Sequence, residues 1–156
     1  MIKCILAIDE NGGIGKGGSL PWPANKEDLK QFRDKTTNHI VVMGSKTWED
    51  PFMPAPLKNR DNVVISSRND FIGAQVINKN IIDELLKLDN VSDKDVWIIG
   101  GSTIIGQTID IIDEIHLTRI PGDFGCDTFI DIDCILGEFH LTESKDNTYF
   151  IYNRDK

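Results

Sequence analysis

The chain has 156 residues, of which 40% are hydrophobic, which is enough to bury one core without disulfides or metals as staples. Its formal net charge of −8 and the absence of a basic run remove the electrostatic footprint of a nucleic-acid binder, so an anionic small molecule would need local positive charge. Cys4, Cys126 and Cys134 are odd in number, widely spaced and not paired in ligand fashion with His39, His116 or His140, so neither a disulfide framework nor a metal site is expected.

A reducing, cytoplasmic setting is the default. The N-terminus alternates like a strand where a signal peptide needs an apolar run, and no stretch is long enough to span a bilayer, so no membrane partner is expected.

In chain order, short β-branched runs fall at Ile2 to Ile8, His39 to Met43, Asn62 to Ile65, Gln75 to Ile77, Val96 to Ile99 and Ile112 to Thr118. Helical stretches separate them at Glu27 to Lys35, Ile81 to Leu88 and Thr103 to Ile109, with Asn80 or Lys79 near one start and Ser102 as an N-cap. That alternation predicts a single α/β domain over residues 1–156, with a mainly parallel sheet and helices on both faces. Glu138 to Glu143 and Thr148 to Asn153 flank the polar turn Ser144-Lys145-Asp146-Asn147, and are expected to add an antiparallel C-terminal edge.

Gly13-Ile14-Gly15-Lys16-Gly17-Gly18 satisfies a dinucleotide fingerprint, yet the following Ser19-Leu20-Pro21-Trp22-Pro23 puts two prolines where that fingerprint needs a helix. The segment reads better as a mobile lid beside a pocket, with a floppy, functionless connection as the plain alternative.

In Lys26-Glu27-Asp28-Leu29-Lys30-Gln31-Phe32-Arg33, a turn of about 100° per residue puts Asp28 on the side of Leu29 and Phe32, with Glu27 nearly opposite. A carboxylate on an apolar face, one turn before an aromatic ring, suits a flat, nitrogen-rich ligand with one edge against the acid. The competing reading is an aspartate serving the helix dipole in its first turn.

Three strand ends could hold phosphates. They are Met43-Gly44-Ser45-Lys46-Thr47, Val63-Val64-Ile65-Ser66-Ser67-Arg68 and Ile99-Gly100-Gly101-Ser102, and ligands of open parallel sheets gather outside such carboxyl ends. Arg60 could clamp a carboxylate bidentately or simply be solvated. Thr118, closing its strand, could join Asp28 in a hydrogen bond or satisfy its own backbone.

Read in order, these residues resemble dihydrofolate reductase: Ile14-Gly15, Leu20-Pro21-Trp22, Asp28-Leu29 with Phe32, Met43-Gly44 with Thr47-Trp48, Arg60, Ser66-Ser67, Ile99-Gly100-Gly101, Leu117-Thr118 and Asp127-Thr128. The resemblance covers nearly the whole chain. It implies one domain with an eight-stranded sheet, hydride transfer from NADPH to 7,8-dihydrofolate, and a cis bond between Gly100 and Gly101. A monomer is expected.

The same resemblance makes Asp28, with Leu20, Trp22 and Thr118, the catalytic group, with Asp28 on the pterin's amino-pyrimidine edge. It puts Ile5, Ala7, Leu29, Phe32, Leu57, Arg60 and Ile99 on the folate, Arg60 holding the carboxylate of the glutamate tail. Ala7, Ile14, Gly15, Gly44, Ser45, Lys46, Thr47, Ser66, Ser67, Arg68, Ile99, Gly100, Gly101, Ser102, Thr103, Ile104 and Ile105 would meet the cofactor. His39, His116 and His140 lie on strands remote from the Asp28 cluster in sequence and are expected to take no part.

Three residues or segments depart from the family. Ser45 stands where an arginine is usual, leaving Lys46 or Arg68 to replace it; Ile105 stands where bacterial members often have tyrosine; and the lid is unusually rich in glycine. A pyrimidine reductase of riboflavin synthesis, which should lack the Asp28, Phe32 and Arg60 constellation, and a non-catalytic nucleotide-binding module are the alternatives.

Overall fold

The computed structural model describes residues 1–17, 21–22, 25–50 and 53–155. Eight strands form one sheet: β1 (Ile2–Ile8), β3 (Ile40–Gly44), β4 (Asp61–Ile65), β5 (Gln75–Ile77), β6 (Val96–Gly100), β7 (Glu114–Arg119), β9 (Phe139–Lys145) and β10 (Tyr149–Arg154). Their order is β5-β4-β3-β6-β1-β7-β10-β9, and β5 through β7 in that order run parallel. The parallel strands are nearly continuous apolar runs because both faces are covered.

The expected antiparallel edge is a pair. β10, last in the chain, inserts between β7 and β9, and β9 takes the rim. Asp146 and Asn147 both adopt positive φ, +56° and +52°, the conformation that a tight hairpin turn demands.

Two apolar clusters sandwich the sheet. One gathers Ile8, Val42, Ile98, Leu117 and Leu85 under α3 (Ile81–Val91) and α4 (Ser102–Thr108). The other holds Ile5, Val41, Met43, Leu57, Val64, Phe71 and Trp97, with Phe32 of α1 (Lys26–Thr36) packed against it. Odd-numbered positions of β1 and even-numbered positions of β7 share this second face through the register Ile5 to His116 and Ala7 to Thr118.

The helix boundaries carry local corrections. Ser102 is the first residue of α4 and not its cap; Gly101 takes the cap position without any side-chain bond. Asn25 caps α1 instead, its side chain accepting from the Asp28 N–H at 3.1 Å. Among the described residues no helix is long and apolar enough to cross a membrane.

Candidate active site

Part of the segment read as a lid is fastened. Gly13–Gly15 forms a short strand, β2, pairing with β8 (Thr128–Phe129). Asp9 Oδ1 accepts the N–H groups of Gly13 and Asn11 at 2.8 and 2.9 Å, and Oδ2 accepts those of Phe124 and the Cys126 thiol at 3.2 and 3.3 Å. Burial alone would push the Asp9 carboxyl up, but these backbone donors outweigh it and hold it below the usual carboxylate range. Asp127 extends the anchorage by accepting from the Gly17 N–H at 2.8 Å.

No property of Asp9 in sequence marked this role; only the close approach of residues 122–126 reveals it. Trp22 is buried and packs edge-on against Phe124, with centroids 6.0 Å apart. Leu20, together with Gly18, Ser19, Pro23, Ala24, Pro51 and Phe52, lies outside the described residues.

On α1 the inward stripe is Asp28, Gln31, Phe32, Lys35 and Thr36, at the i, i+3, i+4 spacing of one helix face, while Glu27 is exposed. Leu29 departs from expectation: it is 48% exposed and does not help to bury the acid. The 100° rotation from Asp28 carries Leu29 off the inward stripe.

The Asp28 carboxylate meets β7. Thr118 Oγ1 donates to Asp28 Oδ1 at 2.8 Å, the partnership that sequence left open. Burial raises the Asp28 carboxyl above its ordinary value, and the Thr118 donor partly opposes that.

Ile5, Leu57, Phe32 and Ile99 belong to the same apolar cluster, and Ala7 is paired with Thr118 across the β1–β7 ladder. Arg60 places its guanidinium 5.9 Å from the centroid of the Phe32 ring and anchors it by donating to Thr36 Oγ1 at 3.1 Å and Lys58 O at 2.9 Å. The cleft side of the sheet therefore joins an acid, an aromatic ring and a cation on one apolar floor.

The three phosphate-type strand ends are neighbours, because β4, β3 and β6 are consecutive in the sheet. β3 and β6 meet at Met43 and Gly100, and α2 (Ser45–Trp48) starts directly after Gly44. The Gly100–Gly101 peptide is cis, as the resemblance implied. At Gly100, φ of +134° disfavours any side chain, and a Cβ there would stand 3.5 Å from Thr47 Oγ1. Bare backbone beneath one hydroxyl is a surface on which a flat group can lie.

Several other cofactor candidates pack or pair within the protein. Ile104 and Ile105 are buried, Ile105 only 2% exposed, and both pack into the core under α4. Their side chains serve the protein interior, since this short helix turns that face onto the sheet. Ile14 likewise packs against that core. Arg68 is already engaged by Glu49 and, at 3.1 Å, by Asp70, whereas Lys46 is exposed with no ion pair among the described residues. Ser66 Oγ accepts from the Arg68 N–H at 3.1 Å, shaping the turn after β4.

His116 is distant from α1 in the chain and meets it in the fold. It lies on β7 two residues before Thr118, on the same face, and contacts α1 through Lys35, with Nδ1 2.6 Å from Lys35 Nζ. Distance along the chain hid this, because β7 is brought under α1 only by the sheet order.

A mainly parallel sheet with a carboxylate on one face, beside three adjoining hydroxyl-bearing strand ends, is the arrangement of a single-domain α/β nucleotide-binding enzyme. Residues 1–150 match the family model for dihydrofolate reductase. The chain is 37% identical over 144 residues to the dihydrofolate reductase of Sus scrofa, covering 82% of this chain and 77% of that one. With that of Mus musculus it shares 36% over 157 residues, covering 90% and 83%.

Among solved structures, dihydrofolate reductase from Enterococcus faecalis, complexed with NADP(H) and RAB-propyl, matches with a TM-score of 0.85 at 30% identity, over 100% of this chain and 97% of that one. The chain belongs to the dihydrofolate reductase family. It is an NADPH-dependent enzyme that reduces 7,8-dihydrofolate to tetrahydrofolate. The pyrimidine reductase and the non-catalytic module give way to this assignment.

Proposed function

We propose that Asp28 orients the pterin through its amino-pyrimidine edge and promotes its protonation. The observation that carries this is the bond from Thr118 to Asp28 Oδ1, which holds a part-buried carboxylate on the sheet face that also carries Ile5. A group whose carboxyl is raised by burial exchanges a proton nearer neutral pH than an exposed aspartate does. Trp22, which is buried, shields that edge from water in this reading. Phe32 stacks on the ring system, Leu29 covers its outer side, and Arg60 receives the carboxylate of the tail.

NADPH, when bound, supplies the hydride. The bare backbone at Gly100 and Gly101, with Thr47 beside it, fits its flat and anionic parts, and in this reading Ala7, Ile14 and Gly15 meet it as well. Gly44, Ser45, Lys46, Thr47, Ser66, Ser67, Ser102 and Thr103 fall at the three adjoining strand ends, where hydroxyl and amide donors suit phosphate oxygens. Residues 1–156 act as one catalytic domain, as a cytoplasmic monomer; the net charge of −8 disfavours a nucleic-acid partner.

The test is stopped-flow hydride transfer, followed as loss of NADPH absorbance with dihydrofolate, for wild type, Asp28→Asn and Glu27→Gln. Asp28→Asn should slow the step by roughly 10² to 10⁴ near neutral pH. A crippled Glu27→Gln beside an unaffected Asp28→Asn would move the acid to the wrong side of the helix and end this reading.

A further inference from the structure

Behind Asp28, the inward face of α1 is polar where a helix on a sheet is ordinarily apolar. Thr36 is its one buried residue, so little apolar surface holds these 11 residues in place. Two turns after Asp28, the Lys35 ammonium lies 2.6 Å from His116 Nδ1 and 4.3 Å from the centroid of the Tyr149 ring. The Tyr149 hydroxyl reaches the same Nδ1 at 2.6 Å, and His116 Nε2 bonds the Glu114 carboxylate.

The Lys35 ammonium can only donate, so Nδ1 accepts from it and the proton sits on Nε2, leaving a neutral ring that donates to Glu114 with the Tyr149 hydroxyl held against the same Nδ1. His116 is 5% exposed, with Trp97 closing on it edge-to-face at 4.9 Å. Because His116 and Thr118 alternate onto one face of β7, and β10 sets Tyr149 opposite Thr118, α1 meets the sheet through two polar contacts side by side. One is Asp28 on Thr118; the other is Lys35 on His116.

We propose that Lys35 and His116 are positioning residues for Asp28, fixing the height and rotation of α1 on the sheet and thereby the depth at which the Asp28 carboxylate is kept from water. This rests on Asp28 being the acid that serves the pterin. Lys35 is faced by Glu114 and His116 of β7, Glu143 of β9, Tyr149 of β10 and Lys3 of β1. Asp28 shares a narrow crevice with Asn25, Glu27, Gln31, Thr118, Lys145, Asp146, Thr148 and Tyr149.

Loosening α1 would hydrate Asp28 and move the apparent pKa of hydride transfer down. Merely losing a nearby cation would move it up, and a role in stability alone would leave it unmoved.

Single-turnover hydride transfer is measured across pH with NADPH and dihydrofolate for wild type, Lys35→Met, His116→Gln and Asp28→Asn. Lys35→Met is expected to slow transfer roughly tenfold through misplacement, with the apparent pKa displaced downward and NADPH affinity retained. His116→Gln, whose amide accepts from Lys35 and donates to Glu114, should restore most of the rate and the wild-type profile. An unmoved or raised pKa in Lys35→Met overturns the proposal, and so does a His116→Gln variant as impaired as Lys35→Met.

If Lys35→Met does not fold, Tyr149→Phe removes the hydroxyl held against Nδ1 and carries the same directional test. Asp28→Asn separates the two levels. Its retaining the wild-type rate removes the acid assignment itself, whereas a slow Asp28→Asn beside a wild-type-like Lys35→Met removes only the positioning role.

Discussion

Thr118 and Asp28 are 90 residues apart in sequence and joined by a 2.8 Å hydrogen bond that ties β7 to α1. Burial raises the Asp28 carboxyl and the Thr118 hydroxyl opposes it, so Thr118→Val should leave burial unopposed. The pH profile of hydride transfer is then expected to move to higher pH with NADPH affinity intact. Titration by stopped flow checks the direction, and a shift to lower pH would contradict the assigned balance.

Arg60 is held ready by Thr36 and Lys58 over the Phe32 ring. Burial first, and then the neighbouring Arg33, lower its pKa from the usual guanidinium value, which still leaves it a cation at neutral pH. A charge-assisted pair is worth about 1.5 to 3 kcal/mol, so Arg60→Ala should weaken dihydrofolate binding on the order of ten- to a hundredfold. A pterin lacking the glutamate should lose nothing. Equal losses for the two ligands, read by fluorescence titration, would place the tail elsewhere.

Cofactor choice should favour NADPH over NADH, with Lys46 contributing more than Arg68. To reach a phosphate, Arg68 must leave Glu49 and Asp70, whereas Lys46 has no such competitor among the described residues. Lys46→Ala is expected to narrow the NADPH to NADH ratio of kcat/KM by about tenfold, the worth of one exposed charge-assisted contact, and Arg68→Ala by less. Added salt should narrow it as well. Equal use of NADH by the wild type would show that none of Lys46, Ser67 and Arg68 reads the extra phosphate.

His116 gives stability a slope in mild acid. Burial, aided by the Lys35 charge, lowers its pKa from 6.5 to about 4, so the unfolded chain binds a proton in that window that the folded chain refuses. The stabilisation is complete above about pH 6.5 and is lost as pH falls toward 4, by roughly 3 kcal/mol at most. His116→Gln cannot titrate, so urea midpoints of the two proteins should converge between pH 7 and pH 4.5. Parallel curves would assign the acid sensitivity to other groups.

Gly13 leaves room for Cys126: a Cβ at Gly13 would stand 2.3 Å from Cys126 Sγ and 3.0 Å from Asp9 Oδ1. Gly13→Ala should therefore cost about 1 to 3 kcal/mol by overpacking the β2–β8 anchor. Adding Cys126→Ala should recover part of that loss, a non-additivity that a double-mutant cycle measures.

Much of this was legible in the chain itself, because local pattern and composition act over a few residues. The β-branched runs became the strands of the eight-stranded sheet, with ends shifted by a residue or two. The Asp146-Asn147 turn closed the β9–β10 hairpin. The choice of Asp28 over Glu27 followed from helix rotation alone.

Sequence also brought the three phosphate-type strand ends forward, two with glycine and one with paired serines. That they adjoin was decided by the order β4-β3-β6, which no local pattern encodes. Leu29 was misplaced for a related reason: helical periodicity orders side chains around an axis, and only packing says which arc meets the sheet.

The remaining decisions belonged to tertiary structure. Asp9 became an anchor because residues 122–126 fold back over the turn after β1, and His116 became a neighbour of Lys35 because β7 lies beside β1 and beneath α1. Hydrogen bonds between groups about 80 to 120 residues apart carry no signature in either partner's own neighbourhood, since each forms only after hydrophobic burial has chosen the sheet order that brings them together.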